Sequence, residues 1–210
     1  VLFKLLCMLT LDHIAVLGTD LAGAMAYCQT KLALEMAAGG KHARFGTHNR
    51  LIGLQDRIYL EAVAIDHDAP APKDARWFGL DHFSGVPRLD KWICRVPDIK
   101  SALKALPEAG RPVHVTRGEL SWTMAVPADG QLPWNGLFPA LIEWHVKDLP
   151  GDMLPKADRC LEQLVVSHPD ASGLATRLAP FLEEPRIRFE TAPTAALSAT
   201  LSGEDMSWKL

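Results

Sequence analysis

The chain is short of cysteine: Cys7, Cys28, Cys94 and Cys160 stand far apart, with no CxxC pair and no histidine at zinc-finger spacing. That excludes a disulfide scaffold and a structural zinc module, and it fits reduced thiols in a cytoplasmic setting. Charge of one sign is also missing. Twenty-two Lys and Arg face 25 Asp and Glu, a formal balance of −3, so no broad basic field offers itself to nucleic acid. Long apolar runs are absent as well. The stretch Val1 to Met8 is apolar apart from Lys4 but is closed by Asp12, far short of the ~20 residues that span a bilayer. Residues 1–8 are therefore expected to be an extension outside the fold, with no membrane partner. Finally, there is no GxGxxG after a strand, no P-loop, no GxSxG elbow and no HExxH. Dinucleotide, phosphate-loop, serine-hydrolase and zincin chemistry have no footing.

What the chain does contain is an ordinary globular composition, 48% hydrophobic and 22% charged, and an internal repeat. Three segments share one layout. Leu11-Asp12-His13-Ile14-Ala15-Val16 is followed by Asp20 at a helix N-cap and an Ala- and Leu-rich run to Leu34. Leu89-Asp90-Lys91-Trp92-Ile93-Cys94 is followed by Pro97-Asp98 and Ile99 to Leu106, and Leu161 to Val166 by His168-Pro169-Asp170 and Ala171 to Leu182. Each reads as strand, capped turn and helix. Strand-like segments follow each helix: 49–54 and 57–65, then 113–116, 120–126 and 140–146, then 187–191, 195–201 and 206–210, the last after a turn at Gly203-Glu204-Asp205. The predicted fold is α+β, built from repeated βαβββ units. Two of them, 9–65 and 88–147, form a curved mixed sheet around a cleft, and a third, C-terminal unit spans 158–210. The third copy is left to pack elsewhere or to build a homodimer contact. The connection 66–87 carries Arg76-Trp77-Phe78-Gly79-Leu80-Asp81-His82, large aromatics that either cover a sheet edge or help close the cleft.

The words Leu11-Asp12-His13, Gly46-Thr47-His48-Asn49-Arg50-Leu51, Tyr59-Leu60-Glu61, Arg76 to Asp81 and Pro139-Ala140-Leu141-Ile142-Glu143-Trp144 follow in order. In this order, over paired βαβββ units, residues 9–147 resemble the glyoxalase-like domain proteins of the vicinal oxygen chelate superfamily, which also holds bleomycin resistance proteins and extradiol dioxygenases. The resemblance implies a U-shaped sheet holding a divalent ion (zinc, nickel, manganese or iron) that a substrate chelates through two adjacent oxygens. Carried over, the metal ligands are His13, Glu61 and Glu143. The fourth position, aligned with His13 through the shared Leu-Asp, is Lys91, a poor ligand unless deprotonated. Either the three remaining donors hold the ion, with His48 completing the set, or Lys91 lies between carboxylates as their charge partner in place of the metal.

The individual residues leave alternatives open. His13, flanked by apolar residues, reads as a ligand or as a hydrogen-bonded core histidine. Alternation puts Glu61 on a face with Tyr59 and Val63, and Glu143 on a face with Leu141 and His145. Carboxylates on apolar strands need a partner. His48 is a ligand, a proton shuttle or a partner for backbone groups. Arg50 is a solvated charge or a clamp for a substrate carboxylate. Trp122, Trp134 and Trp144 pack a core or line an aromatic cleft. The function expected from these residues is a small-molecule enzyme of lyase or isomerase type, with dioxygenase chemistry ranked below it. In that enzyme the ion polarises the substrate while Glu143, His48 or Lys91 manages the proton and Arg50, Trp122 and Trp144 hold the ligand. The alternative is a metal-free protein that sequesters a hydrophobic or antibiotic-like compound.

Overall fold

The computed structural model describes residues 8–204 and 206–210. The expected extension up to residue 7, Cys7 with it, and Asp205 of the final turn lie outside the described residues. Among those described, no helix is long and apolar enough to cross a membrane. Cys28, Cys94 and Cys160 are free thiols, the first two buried.

The first unit runs β1 (Thr10–Leu17), α1 (Leu21–Leu32), β2 (Ala37–His42), β3 (Thr47–Gly53) and β4 (Tyr59–Ile65). Asp20 starts α1 by accepting the Gly23 backbone N–H at 2.7 Å, and Ala33, in the left-handed region at φ 51°, ends it before the periodic pattern runs out at Leu34. Strand β2 has no counterpart in the sequence reading, because its Ala-Ala-Gly-Gly core has no β propensity. Its glycines are there for clearance. A Cβ on Gly39 would lie 2.2 Å from the Asn49 carbonyl oxygen, and one on Gly40 would lie 2.6 Å from Arg117 Cδ.

The second unit repeats the order as β5 (Arg88–Arg95), α2 (Ile99–Ala105), β6 (Arg111–Arg117), β7 (Leu120–Val126) and β8 (Ala140–Trp144). The two units share one eight-stranded sheet in the order β2-β3-β4-β1-β5-β8-β7-β6. At its centre β1 and β5 are antiparallel, with Ile14 opposite Trp92, His13 opposite Ile93 and Ala15 opposite Lys91. Adding 78 to a β1 number gives its β5 counterpart, so His13 and Lys91 are equivalents related by a pseudo-twofold through the Ile14–Trp92 pair. The flanking parallel pairs extend this equivalence: Ala15 is opposite Glu61 in β4, and Ile93 is opposite Ala140 in β8. A bulge between Leu11 and His13 leaves Asp12 without a partner on β5. The connection between units forms a short 3-10 segment, Trp77–His82, with Phe78 and Gly79 in left-handed conformations at φ 62° and 67°.

A short helix, α3 (Pro150–Met153), leads to the C-terminal unit: β9 (Cys160–His168), α4 (Ala171–Leu178), β10 (Ile187–Thr191), β11 (Ala196–Gly203) and β12 (Met206–Lys209). Its element order matches the other two, but its strand order is β10-β9-β11-β12. In the first two units the opening strand takes the fourth strand as its parallel partner; here it takes the second, Ile187 pairing with Leu164. This unit sits behind the central strand pair, where the Phe189 ring meets Trp92 edge-on at 6.3 Å, and the Leu9 N–H donates to Phe181 O at 2.9 Å.

Candidate active site in the curved sheet

The concave face of the sheet is built by alternation. Asn49 and Leu51 of β3, Tyr59 and Glu61 of β4, Trp122 and Met124 of β7, and Ile142 and Trp144 of β8 point into one cavity with His13 of β1. The curl brings the two sheet edges together over it. Arg117, the last residue of β6, crosses to the opposite edge, where it donates to Asn49 Oδ1 at 3.1 Å and lies 3.0 Å from His42 Nε2. Of the two roles left open for the aromatic connection, its residues take up the one at the cleft. Trp77 stacks on Phe45 at 4.2 Å between ring centres and, with Phe78, walls the cavity. With Arg117 in place the enclosed space is about 30 Å³, enough for one or two waters at roughly 10–15 Å³ each.

The polar floor is a chain of buried groups. Asp12 Oδ1 and His13 Nδ1 are 2.7 Å apart, while the other Asp12 oxygen accepts the Trp144 indole N–H at 3.1 Å. The bulge permits this, because it brings the consecutive residues Asp12 and His13 into one buried cluster where strict alternation would separate them. On its other side, His13 Nε2 lies 3.4 Å from Glu61 Oε2, and Glu61 Oε1 accepts the Asn49 side-chain N–H at 2.6 Å. Tyr59 stacks on the His13 ring at 4.2 Å. Burial by itself works against a charged imidazole, but the hydrogen bonds and charges of Asp12 and Glu61 overcome it and carry the His13 pKa up to about 9. Burial likewise pushes Glu61 toward its neutral form, and His13, His42 and Asn49 reverse this and hold its carboxyl below the usual range. His42 goes the other way: desolvation, assisted by Arg117, takes it down to about 4. At neutral pH the cavity thus holds an imidazolium, an ionised carboxylate and a neutral imidazole.

Not every residue singled out from sequence reaches this cavity. His13, Glu61, Trp122 and Trp144 do. Glu143 is on the opposite face of β8, half-buried, where Oε2 accepts the Ile99 N–H at the start of α2 at 2.9 Å and Oε1 lies 3.7 Å from His145 Nδ1. This corrects its placement as a metal ligand beside Glu61. Alternation correctly grouped it with His145, but the strand pairing makes Ala140 the counterpart of Glu61. His48 and Arg50, flanking Asn49 on β3, are also turned away from the cavity, so neither completes the site. Lys91 is 5% exposed and shares the His13 face of the sheet, but Phe78 stands between the two. Its ammonium bonds to the carbonyl and the carboxylate of Asp90, so it is not the charge partner of Glu61. The sequence reading missed Asp12, His42, Asn49, Tyr59 and Arg117 as site residues.

These donors do not fit a divalent ion. Of the described residues only His13 and Glu61 offer donor atoms there, because the lone pair of the neutral His42 is turned to Arg117, and two donors are fewer than the three a catalytic ion needs from the protein. Among the described residues no three His, Cys, Asp or Glu side chains are placed to hold a metal. Among the described residues of the cleft, positive charge comes from His13 and Arg117.

The sequence profile of the glyoxalase-like domain matches residues 11–182. In fold, the chain is similar to a hypothetical protein from Staphylococcus aureus, with 14% identity, 90% of this chain and 88% of that one covered, and a TM-score of 0.64. Methylmalonyl-CoA epimerase from Mycobacterium tuberculosis gives 18% identity, 64% and 85% coverage and a TM-score of 0.41. The Streptomyces coelicolor epimerase in complex with methylmalonyl-CoA and NH4+ gives 15%, 68% and 99%, and 0.45. No curated protein matches the chain in sequence.

Proposed function

The chain belongs to the glyoxalase-like domain family of the vicinal oxygen chelate superfamily, and from that premise we propose that it is a small-molecule enzyme of redox-neutral, isomerase or lyase type. In this reading it moves a proton with the Glu61–His13 pair and without a metal ion. The observation that carries this is the 3.4 Å contact between His13 Nε2 and Glu61 Oε2 at the cavity wall. Two groups pushed to opposite protonation preferences form a base and an acid that coexist at neutral pH. Their separation exceeds the ~2.7–2.9 Å of a tight charge-assisted bond, which leaves both atoms accessible to a third group. Glu61 takes a proton from carbon next to a carbonyl, and the His13 imidazolium and Arg117 stabilise the oxyanion that develops. Asp12 holds the imidazole in orientation. The aromatic walls select a small apolar or ring-bearing body, and Arg117 must swing aside for it to enter.

The test is carbon-bound hydrogen exchange in D2O, followed by proton NMR over a panel of small 2-oxo and 2-hydroxy acids in the presence of EDTA. The expected outcome is wash-in of deuterium that falls at least 100-fold in Glu61→Gln, with the fold retained. Binding of panel compounds with no exchange would replace this reading with the sequestering protein. Exchange that appears only with added divalent metal would overturn its metal-free character.

A further inference from the structure

We propose that the half of the sheet related to the His13 site by the pseudo-twofold holds a second, independent ligand site, centred on Lys91, for a small monocarboxylate with an apolar body. A hollow of about 250 Å³ opens beside Lys91, several times the free space in the cleft. Its walls combine Phe78, Phe83 and Leu132 with Lys91 and Arg88. The charge there is unbalanced in one direction. Arg88 Nε lies 2.9 Å from one oxygen of Asp90 and Lys91 Nζ bonds to the other, so two cations share one carboxylate. Of the three ammonium protons on Lys91, Asp90 accepts two through its backbone and side-chain oxygens. The third is available to the hollow, on the side where Gly136 keeps clear of Nζ because a Cβ there would stand 3.0 Å from it. A buried ammonium with donor capacity left over, beside a cavity with an excess of positive charge, is a receptor for an anion.

Backbone conformation marks the same place. Phe78 and Gly79 on one wall and Asn135 and Gly136 on the other all have positive φ, 62°, 67°, 54° and 88°. Non-glycine residues in that region store strain that the surrounding structure must hold. The C-terminal unit does the holding: His168 Nε2 meets Asn135 Oδ1 at 2.9 Å, and the Trp134 indole N–H donates to Asp170 Oδ2 at 3.1 Å. The third unit therefore buttresses the loop that shapes the Lys91 hollow.

Benzoate is the probe, with benzyl alcohol as its uncharged counterpart, and the readout is the nitrogen–proton NMR spectrum of the labelled full chain. Saturable shifts of the Asn135 and Gly136 amides with benzoate but not with benzyl alcohol are expected. They should be weakened at least tenfold in Lys91→Met and about threefold in Arg88→Gln. Shifts confined to the Trp122 and Trp144 indoles would place the anion in the His13 cleft and overturn the proposal. Equal response to benzyl alcohol, no response at all, or full affinity in Lys91→Met would do the same. Should Lys91→Met fail to fold, the exposed Arg88 decides: unchanged benzoate affinity in Arg88→Gln rejects the site. Neither result depends on whether Glu61 and His13 transfer protons.

Discussion

The two halves of the curved sheet have the same wiring and opposite chemistry. In the first half the β1 and β4 positions are His13 and Glu61, which sit against each other under an aromatic wall. In the second the equivalent β5 and β8 positions are Lys91 and Ala140; the lysine bonds to the preceding Asp90, as His13 does to Asp12, but among the described residues has no second carboxylate across from it. Two differences between the halves, Lys91 for His13 and Ala140 for Glu61, replace a buried imidazole–carboxylate pair by an ammonium beside an open hollow, while strand order and pairing are untouched. The backbone fixes where a side chain points and how dry it is; which charge stands there decides what it does.

The sharpest way to break the comparison is to remove each charge in turn. His13→Ala leaves Glu61 buried without its cation, while Asp12 keeps only the Arg95 cation at 3.6 Å, and a loss of roughly 3–5 kcal/mol in urea unfolding is expected, as for other broken buried pairs. Lys91→Met should cost only about 1–2 kcal/mol, because Asp90 keeps Arg88 and its carboxylate is 16% exposed. Equal losses would show that the halves are energetically alike.

The pH dependence of stability should come chiefly from the first half. His13 rises from 6.5 to about 9 on folding, so its contribution is complete below pH 6.5 and is lost as pH climbs through 9. His42 falls from 6.5 to about 4; the unfolded chain then binds the extra proton between those values, and stability drops as pH falls from 6.5 toward 4. Each shift corresponds to something on the order of 3 kcal/mol. Unfolding free energy measured from pH 4 to 10 should peak near 6.5, and a curve rising steadily to pH 9 would contradict the imidazolium at His13.

The smallest effect is expected at Glu143, which caps α2 from the far side of β8. Glu143→Gln should lower stability by about 0.5–1 kcal/mol and leave deuterium exchange and benzoate binding unchanged. A large loss of exchange would return Glu143 to the cleft chemistry.

Much of the architecture was readable in the chain, because it depends on local rules. The Leu-Asp words, the capping Asp20 and Asp98 and the apolar alternation located the opening strand and helix of each unit and most of the strands that follow. Strand β2 escaped because its glycines serve a close crossing rather than a propensity. The site was half legible. His13, Glu61, Trp122 and Trp144 follow from motif and alternation, while Asp12 faces inward only because of a bulge and Arg117 enters only because the sheet edges meet.

Sequence by itself determined the repeat, the residue types at each strand position and the departure at Lys91, all of which follow from side-chain periodicity along one strand. Tertiary structure alone decided which face of β8 is the inside, which β8 residue matches Glu61, how the third unit is wired and what neutralises the cleft. Those depend on pairing register and on contacts between residues far apart in the chain, such as Asn49 and Arg117. Alternation along one strand is blind to both.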